Sequence, residues 1–356
     1  MAMALGLGRR GMGRVWPNPA VGCVIVKEGR VVGRGWTADG GRPHAEVRAL
    51  GQAGTAAKGA TAYVTLEPCS HHGKTPPCAE ALIAAGVARV VVAAGDPDPR
   101  VAGRGLQMLR DAGIDVTTGV MEAEAAADHA GFFLRVTQNR PFVTLKLAGT
   151  LDGRIATATG ESQWITGPAA RRAVHMMRAR HDAVMVGAGT VRADDPSLTV
   201  RGLGIARQPV RVIVSRAMKI DTACKLAQTA RDLPVWLCHG DGADTGGWTD
   251  KGAESLPCNV VSGQVDPQAV VAALSERGIT RVFCEGGGML AASLLHADLV
   301  DRITVFTAGA AIGAEGTPML AAMGIDALAT APRFGLGSVS RIGDDICHTW
   351  SRQVTP

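Results

Sequence analysis

The sequence predicts two α/β domains in tandem, and three observations carry that prediction. Its 356 residues suffice for two domains of ordinary size, each with a core of its own. Short β-rich runs alternate with helical stretches along almost the whole chain, the order that builds a sheet with helices on both faces. At Asn139-Arg140-Pro141 an Ala-rich helix candidate ends and a new α/β series of different texture begins. The expected domains are 1–139 and 140–356.

Bulk composition narrows the classes. Hydrophobic residues make up 46% and charged residues 19%, as in ordinary soluble globular chains. The eight cysteines are spread along the chain with no dense framework, which suits metal ligands and buried thiols in a reducing compartment. No run approaches the roughly 18–20 apolar residues that span a bilayer. Met1–Arg14 places its apolar stretch before its arginines, the reverse of a secretory signal. The cytoplasm is therefore the expected location. The formal charge of +5 comes mainly from arginine, which suits phosphorylated small molecules. Aromatics at 4%, with no basic run interleaved among them, argue against nucleic acid.

In chain order, Ala2–Arg10 reads as a short, glycine-weakened helix and Val15–Pro19 as a turn with Asn18 between two prolines. Val21–Lys27 and Arg30–Thr37 form an expected hairpin closed at Glu28-Gly29. A helix is expected over His44–Ala53, a strand over Ala60–Leu66, a helix over Cys78–Ala85 and a strand over Arg89–Ala94. Gly105–Ala112 (helix), Ile114–Thr117 (strand) and the helix Glu122–Thr137 complete the first domain. In the second, strands are expected at Phe142–Leu147, Ala183–Val186, Val210–Val214, Pro234–Cys238, Arg281–Cys284, Arg302–Thr307 and Ile346–Ser351. Helices are expected at Ala169–Arg180, Val265–Gly278 and from the glycines after Glu285 to His296. Arg192–Arg201 reads as a loop, and Gly240–Pro257 as a polar surface stretch.

The densest chemistry lies between residues 42 and 78, where R-P-H-A-E-V at Arg42–Val47 precedes T-L-E-P-C-S-H-H-G-K-T-P-P-C at Thr65–Cys78. A histidine, a glutamate two residues on and two later cysteines are the residue set of a hydrolytic zinc deaminase. Three ligands hold the metal, an open fourth position admits water, and the glutamate beside the metal moves protons. His44, Cys69 and Cys78 are therefore the expected ligands and Glu46 the expected acid/base. Base deaminases usually show P-C-x-x-C, whereas eight residues, Ser70–Pro77, separate these cysteines. A closed structural site completed by His71 or His72 is the alternative that the residue set leaves open.

The second domain offers a different site. The strand–Gly286-Gly287-Gly288–helix step is a candidate anion cradle, since glycines admit a phosphate to the backbone and a helix N-terminus supplies oriented N–H groups. It lacks the G-x-G-x-x-G spacing, so it is no Rossmann fingerprint. Lys146 is the only lysine between Lys74 and Lys219 and ends an apolar strand. Ser162-Gln163-Trp164, Arg178, Asp194-Asp195 and Arg201 add polar groups at element ends. A solvated helix face for Arg178 and a capped turn for Asp194-Asp195 are the competing readings.

Taken together, these motifs resemble the bifunctional riboflavin-biosynthesis deaminase/reductase family over essentially the whole chain. The resemblance rests on P-N-P-A-V-G-C-V-I-V (Pro17–Val26), H-A-E-V, T-L-E-P-C-S-H-H-G-K-T-P-P-C, V-A-G-R-G (Val101–Gly105), T-L-D-G-R, G-E-S-Q-W-I-T (Gly160–Thr166) and A-D-D-P-S-L-T-V-R. The long loop between the cysteines is the form this family uses. The resemblance implies a cytidine-deaminase-like α/β/α domain followed by a dihydrofolate-reductase-like α/β domain. The first would deaminate 2,5-diamino-6-(5-phosphoribosylamino)pyrimidin-4-one with one Zn²⁺, and the second would reduce the ribosyl group to ribityl with NADPH. It further implies that Asn18, His71 and Lys74 face the deaminase substrate. Ser162, Arg178, Leu198, Arg201 and Glu285 would meet the reductase substrate, with Arg178 and Arg201 as natural phosphate holders. Ala148, Trp164, Thr190, Asp194, Ser215, Gly286, Gly287 and Gly288 would line the NADPH site, and Lys146 would deliver a proton or bind the sugar. A homo-oligomer, dimer or tetramer, is also implied. Val15-Trp16, Asp98, Thr150 and Arg216 depart from the family's common residues, Arg216 standing where a small residue often follows the strand. The rival enzyme reading is a zinc deaminase of another base or nucleotide with a non-catalytic C-terminal ligand-binding domain.

Overall fold

The computed structural model describes residues 1–72 and 76–353. The chain divides into two compact units, Met1–Arg140 with Arg277–Thr280, and Pro141–Glu276 with Arg281–Pro356.

The first unit runs α1 (Ala2–Gly8), β1 (Gly22–Lys27), β2 (Arg30–Trp36), α2 (Ala45–Ala53), β3 (Thr61–Leu66), α3 (Cys78–Ala84), β4 (Arg89–Ala94), α4 (Arg104–Asp111), β5 (Asp115–Thr117) and α5 (Glu122–Gln138). Its five-stranded sheet has the order β2-β1-β3-β4-β5. β1 pairs antiparallel with both β2 and β3, and the β3–β4–β5 side is parallel. Alternation in β1–β4 buries Cys23, Ile25, Ala62, Val64, Val90 and Val92 in one core, closed by Ala45, Ala49 and Leu82 from the helices. Helix α2 lies unusually close to β2. A Cβ on Gly33 would come within 2.2 Å of the Ala49 carbonyl oxygen, and one on Gly35 within 2.1 Å of that of Ala45. Only glycine permits this approach, and it sets the depth at which the start of α2 sits.

The second unit opens with β6 (Phe142–Thr150), β7 (Arg154–Ala156), α6 (Pro168–Ala179), β8 (Ala183–Gly187), α7 (Ala188–Asp194), β9 (Val210–Ser215), α8 (Lys225–Gln228) and β10 (Val235–His239). It continues with α9 (Gly246–Thr249), β11 (Glu254–Pro257), β12 (Val260–Val261), β13 (Gln264–Val265), α10 (Pro267–Glu276) and β14 (Arg281–Cys284). It closes with α11 (Gly288–His296), β15 (Arg302–Ala308), β16 (Thr317–Pro318), β17 (Phe334–Ile342) and β18 (Asp345–Arg352). Nine strands form one sheet in the order β11-β10-β9-β8-β14-β6-β15-β18-β17. In that order the seven strands β11-β10-β9-β8-β14-β6-β15 are parallel, and β18 pairs antiparallel with both β15 and β17. The carboxyl ends of β6, β14, β8 and β9 therefore share one edge, where open α/β sheets place their ligands.

Three sequence expectations need correction here, and one strand was not foreseen. Residues 192–194 belong to α7 rather than to a loop; the helix ends at Asp195, whose φ of 38° puts it in the left-handed region, and Pro196 follows. The Gly240–Pro257 stretch is not merely surface, because β11 adds a parallel edge strand to β10 and Trp248 is buried. Ala253 and Leu256 are buried with it, so the segment docks by strand pairing and apolar contact together. Helix α10 begins at Pro267, since Gln264–Val265 pair in a small hairpin with β12. Strand β17, exposed along nearly its whole length and rich in serine and glycine, carries no burial alternation to read.

Candidate active sites

In the first unit the ligand set assembles at element ends. His44 is the N-cap of α2, with extended φ and ψ of −69° and 163°, and Glu46 lies in the first helical turn, 3% exposed. Cys78 opens α3, and its backbone N–H donates to Cys69 Sγ at 3.3 Å. His44 Nδ1 lies 3.3 Å from Cys78 Sγ and 3.6 Å from Cys69 Sγ. The three donor atoms lie within 4.8 Å of one another. Donors on a tetrahedral zinc, with Zn–S about 2.3 Å and Zn–N about 2.0 Å, sit at such separations, so the residues fit the metal. No fourth donor joins them among the described residues. His72 instead faces Glu80 at 3.3 Å, which leaves the closed structural site without its last ligand.

The electrostatics agree with a cation site. A hydrogen bond from Cys78 and the nearby His44 hold the Cys69 thiol down to about 4, while its partner Cys78 is pushed up. The pair thus keeps one proton that a cation would displace. Burial, then the charge of Cys69, lifts the Glu46 carboxyl to about 7, and Glu46 hydrogen-bonds Cys78. A cavity of about 280 Å³ opens over this group, lined by Asn18, His44, Glu46, Cys69 and His71 among others. The buried Nδ1 of His71 has no hydrogen-bond partner among the described residues. Asn18 is wedged against Gly41, where φ is +88° and a Cβ would meet Asn18 Nδ2 at 1.8 Å, so glycine is required there. Lys74 lies outside the described residues.

Glu67 is a residue that the sequence reading missed. Its buried carboxylate accepts the N–H groups of Gly103 and Gly105, both at 3.0 Å, and so ties the loop carrying Cys69 to the start of α4. The signal was present as an acid immediately before Pro68-Cys69, but its partners lie 36 and 38 positions away.

In the second unit every expected site residue lines one cavity of about 1060 Å³. Lys146 and Ala148 come from the middle and second half of β6, which runs on to Thr150 so that Lys146 does not end its strand, and Thr190 and Asp194 come from α7. Ser215 ends β9, and Glu285 with Gly286–Gly288 forms the step into α11. That step is pinned by the Gly187 N–H donating to the Gly286 carbonyl at 2.8 Å and the Glu285 N–H donating to Met185 at 2.9 Å. Gly286 has φ of +100°. Ser162, Leu198 and Arg201 add to the wall, and Trp164, 69% exposed, lies under the Arg171 guanidinium at 4.4 Å.

Arg178 lines the cavity and is at the same time engaged by protein groups. Its Nε and Nη2 grip the Glu285 carboxylate, and its Nη1 donates to the Thr199 carbonyl at 2.9 Å. Burial would raise the Glu285 carboxyl, but the Arg178 charge and hydrogen bond, joined by Lys146 and His175, hold it below the usual carboxylate range. Burial lowers the Lys146 ammonium, helped by Arg178 and opposed by Glu285. Arg201 stays exposed on the cavity wall, and His175, which the sequence reading overlooked, lies beside it with Nδ1 3.3 Å from the Arg201 backbone nitrogen.

A three-donor Cys/His cluster with a buried glutamate beside it, followed by a parallel-sheet unit with a glycine step in a long cleft, defines a zinc deaminase joined to a pyridine-nucleotide reductase. Comparison with known proteins agrees on both halves. Residues 1–94 match the cytidine and deoxycytidylate deaminase zinc-binding region, and residues 141–348 match the RibD C-terminal domain. The riboflavin biosynthesis protein RibD of Escherichia coli is 43% identical over 98% of this chain and 97% of its own length. That of Aquifex aeolicus is 41% identical over 99% and 97%. The solved structure of Acinetobacter baumannii RibD superposes with a TM-score of 0.89 at 40% identity, covering 99% of this chain and 98% of that one. The diaminohydroxyphosphoribosylaminopyrimidine deaminase/5-amino-6-(5-phosphoribosylamino)uracil reductase of Thermotoga maritima gives 0.86 at 35% identity, covering 99% and 97%. The chain belongs to the RibD family of bifunctional riboflavin-biosynthesis enzymes, with a zinc-binding deaminase domain and a reductase domain that uses NADPH. No helix among the described residues is long and apolar enough to cross a membrane.

Proposed function

We propose the following division of labour among this chain's residues for the deamination of 2,5-diamino-6-(5-phosphoribosylamino)pyrimidin-4-one and the reduction of the product's ribosyl group to ribityl. The observation that carries it is the pairing of the His44–Cys69–Cys78 cluster and buried Glu46 with a separate cleft holding Lys146, Glu285 and the glycine step.

Zinc held by His44, Cys69 and Cys78 supplies the Lewis acidity that makes water a nucleophile near neutral pH. Glu46 takes the proton from that water as it adds to C2 and returns it to the 2-amino group, which leaves as ammonia. Asn18 and His71, together with Lys74, orient the ring, and His71 Nδ1, without a partner among the described residues, is a hydrogen-bonding atom for the substrate there.

In the cleft, NADPH supplies the hydride. Reduction breaks the C1′–O4′ bond, places hydride on C1′ and leaves O4′ needing a proton. Lys146 gives that proton, its ammonium pKa being lowered by burial toward the working range of a general acid. Arg178 acts as the clamp that fixes Glu285 beside Lys146, and Arg201 is the group left to hold the substrate phosphate. Ala148, Trp164, Thr190, Asp194, Ser215 and Gly286–Gly288 bound the cofactor, and Ser162 and Leu198 the substrate.

A cytoplasmic location is supported by all eight cysteines being free thiols. A homo-oligomer is supported by the long edge strand β17, on which Leu336 and Val339 are 57% and 61% exposed. Ammonia release and NADPH oxidation, measured on one purified chain with the diaminopyrimidine substrate, test the whole reading. Ammonia without subsequent NADPH oxidation would leave only the rival, a deaminase with a non-catalytic second domain.

A further inference from the structure

The sequence names no partner for the 2′-phosphate, the group that separates NADPH from NADH. We propose that Arg216, flanked by Arg192 and Lys219, binds it; this rests on reading the large cavity as the NADPH site.

The strand order β9-β8-β14-β6 supplies the first argument. The groups assigned to the reacting end are Glu285, directly after β14, and Lys146, midway along β6 and one residue past the Leu145 that pairs with Cys284. The glycine step that opens α11 follows β14 directly and suits the central pyrophosphate. With the nicotinamide on the β6 side, the adenosine half must extend over β8 toward β9, whose end lies two strands, roughly 10 Å, from that of β14.

The cavity wall in that direction is cationic. Arg216 follows Ser215 at the end of β9, Arg192 projects from α7, and Lys219 comes from the next turn; all three are exposed and line the cavity. Their framework is tied together. Ser215 Oγ accepts the Met218 N–H at 3.1 Å, the Arg216 carbonyl accepts the Gly240 N–H at 3.1 Å, and Arg192 Nη1 donates to the Lys219 carbonyl at 3.3 Å. A Cβ on Gly240 would come within 2.6 Å of Val260 Cγ2 and 3.1 Å of the Arg216 carbonyl oxygen, so the chain packs closely beneath Arg216 at this point.

Charge balance supplies the second argument. Lys225, also on this wall, is neutralised by Asp195 at 3.4 Å. Arg192, Arg216 and Lys219 have no carboxylate partner among the described residues. Asp194 is the other acid on this wall. A phosphate dianion would meet this surplus, and a guanidinium fork matches it with two parallel hydrogen bonds.

The test is calorimetric binding of 2′,5′-ADP and 5′-AMP, with NADPH and NADH alongside, to the full chain and to R216A, R216K and R192A/K219A. The unmodified chain is expected to prefer the 2′-phosphorylated ligand of each pair. R216A should reduce that preference about tenfold or more, the worth of a charge-assisted contact, and leave 5′-AMP affinity unchanged. R216K should restore part of it, and R192A/K219A should weaken it further. Equal losses for both ligands of a pair, or an undiminished preference in R216A, would overturn the assignment while leaving the cofactor reading intact. Binding of neither dinucleotide by the unmodified chain would overturn the cofactor reading, and this inference with it.

Discussion

Arg178 holds Glu285 with both prongs of its guanidinium, Nε to Oε1 at 2.5 Å and Nη2 to Oε2 at 2.9 Å, across 107 positions of sequence. Their side chains are only 11% and 9% exposed. Removing one partner of such a pair strands a charge, a loss of about 3–5 kcal/mol in buried cases. R178A is expected to lower the unfolding midpoint of the reductase unit and to abolish NADPH oxidation, while ammonia release continues. Thermal unfolding with both assays checks this, and loss of deamination as well would contradict the separation of the sites. Because the Glu285 pKa is depressed, its stabilisation is fully present above the unfolded value of about 4.3 and is lost as pH falls below it. E285Q should remove that acid dependence.

His181 gives a second pH dependence of the opposite origin. Its ring is buried against Phe283, with Nδ1 2.7 Å from the Met177 carbonyl and Nε2 3.0 Å from Thr144 Oγ1. Burial pushes its pKa down to about 3. The unfolded chain takes up a proton below about pH 6.5 and the folded chain does not, so stability falls by up to about 1.4 kcal/mol per pH unit from there toward pH 3. Denaturant unfolding at stepped pH measures the slope, and H181Q should flatten it.

Glu46 is expected to be dispensable for metal and indispensable for turnover. E46Q should retain one zinc per chain by metal analysis and lose about 10²–10⁴-fold in ammonia release. Chelation should stop ammonia release while NADPH oxidation with pre-deaminated substrate persists; an unfolded first unit after chelation would instead mark a structural metal.

Gly35 is expected to matter at a distance. A Cβ there would press on the Ala45 carbonyl, one residue from His44 and from Glu46. G35A should cost about 1–3 kcal/mol, the usual penalty for overpacking, and weaken zinc binding by tilting the start of α2. Unfolding curves and metal affinity test both parts, and unchanged zinc affinity would show that α2 accommodates the methyl without moving its ligand.

Much of this was legible because the chemistry is local. H-x-E at a helix start and cysteines at element ends are short-range patterns, and β1, β3 and β4 are short, mostly buried β-rich runs. Helix α7 was obscured by Gly187 and Gly189 around its start, and β17 by lying exposed at the sheet edge, where pairing with β18 rather than burial makes the strand. Trp248 was hidden among glycines and aspartates, since nothing nearby shows which core it joins.

The sequence by itself determined the donor types, their order, the glutamate beside them and the glycine step, because residue identity and spacing set those. Tertiary structure alone decided that Arg178 is engaged with Glu285, that Glu67 anchors the Cys69 loop, and that Arg192, Arg216 and Lys219 share one wall of the cleft. Hydrogen-bond partners and surplus charge depend on which distant segments the sheet brings together, and no local pattern encodes that.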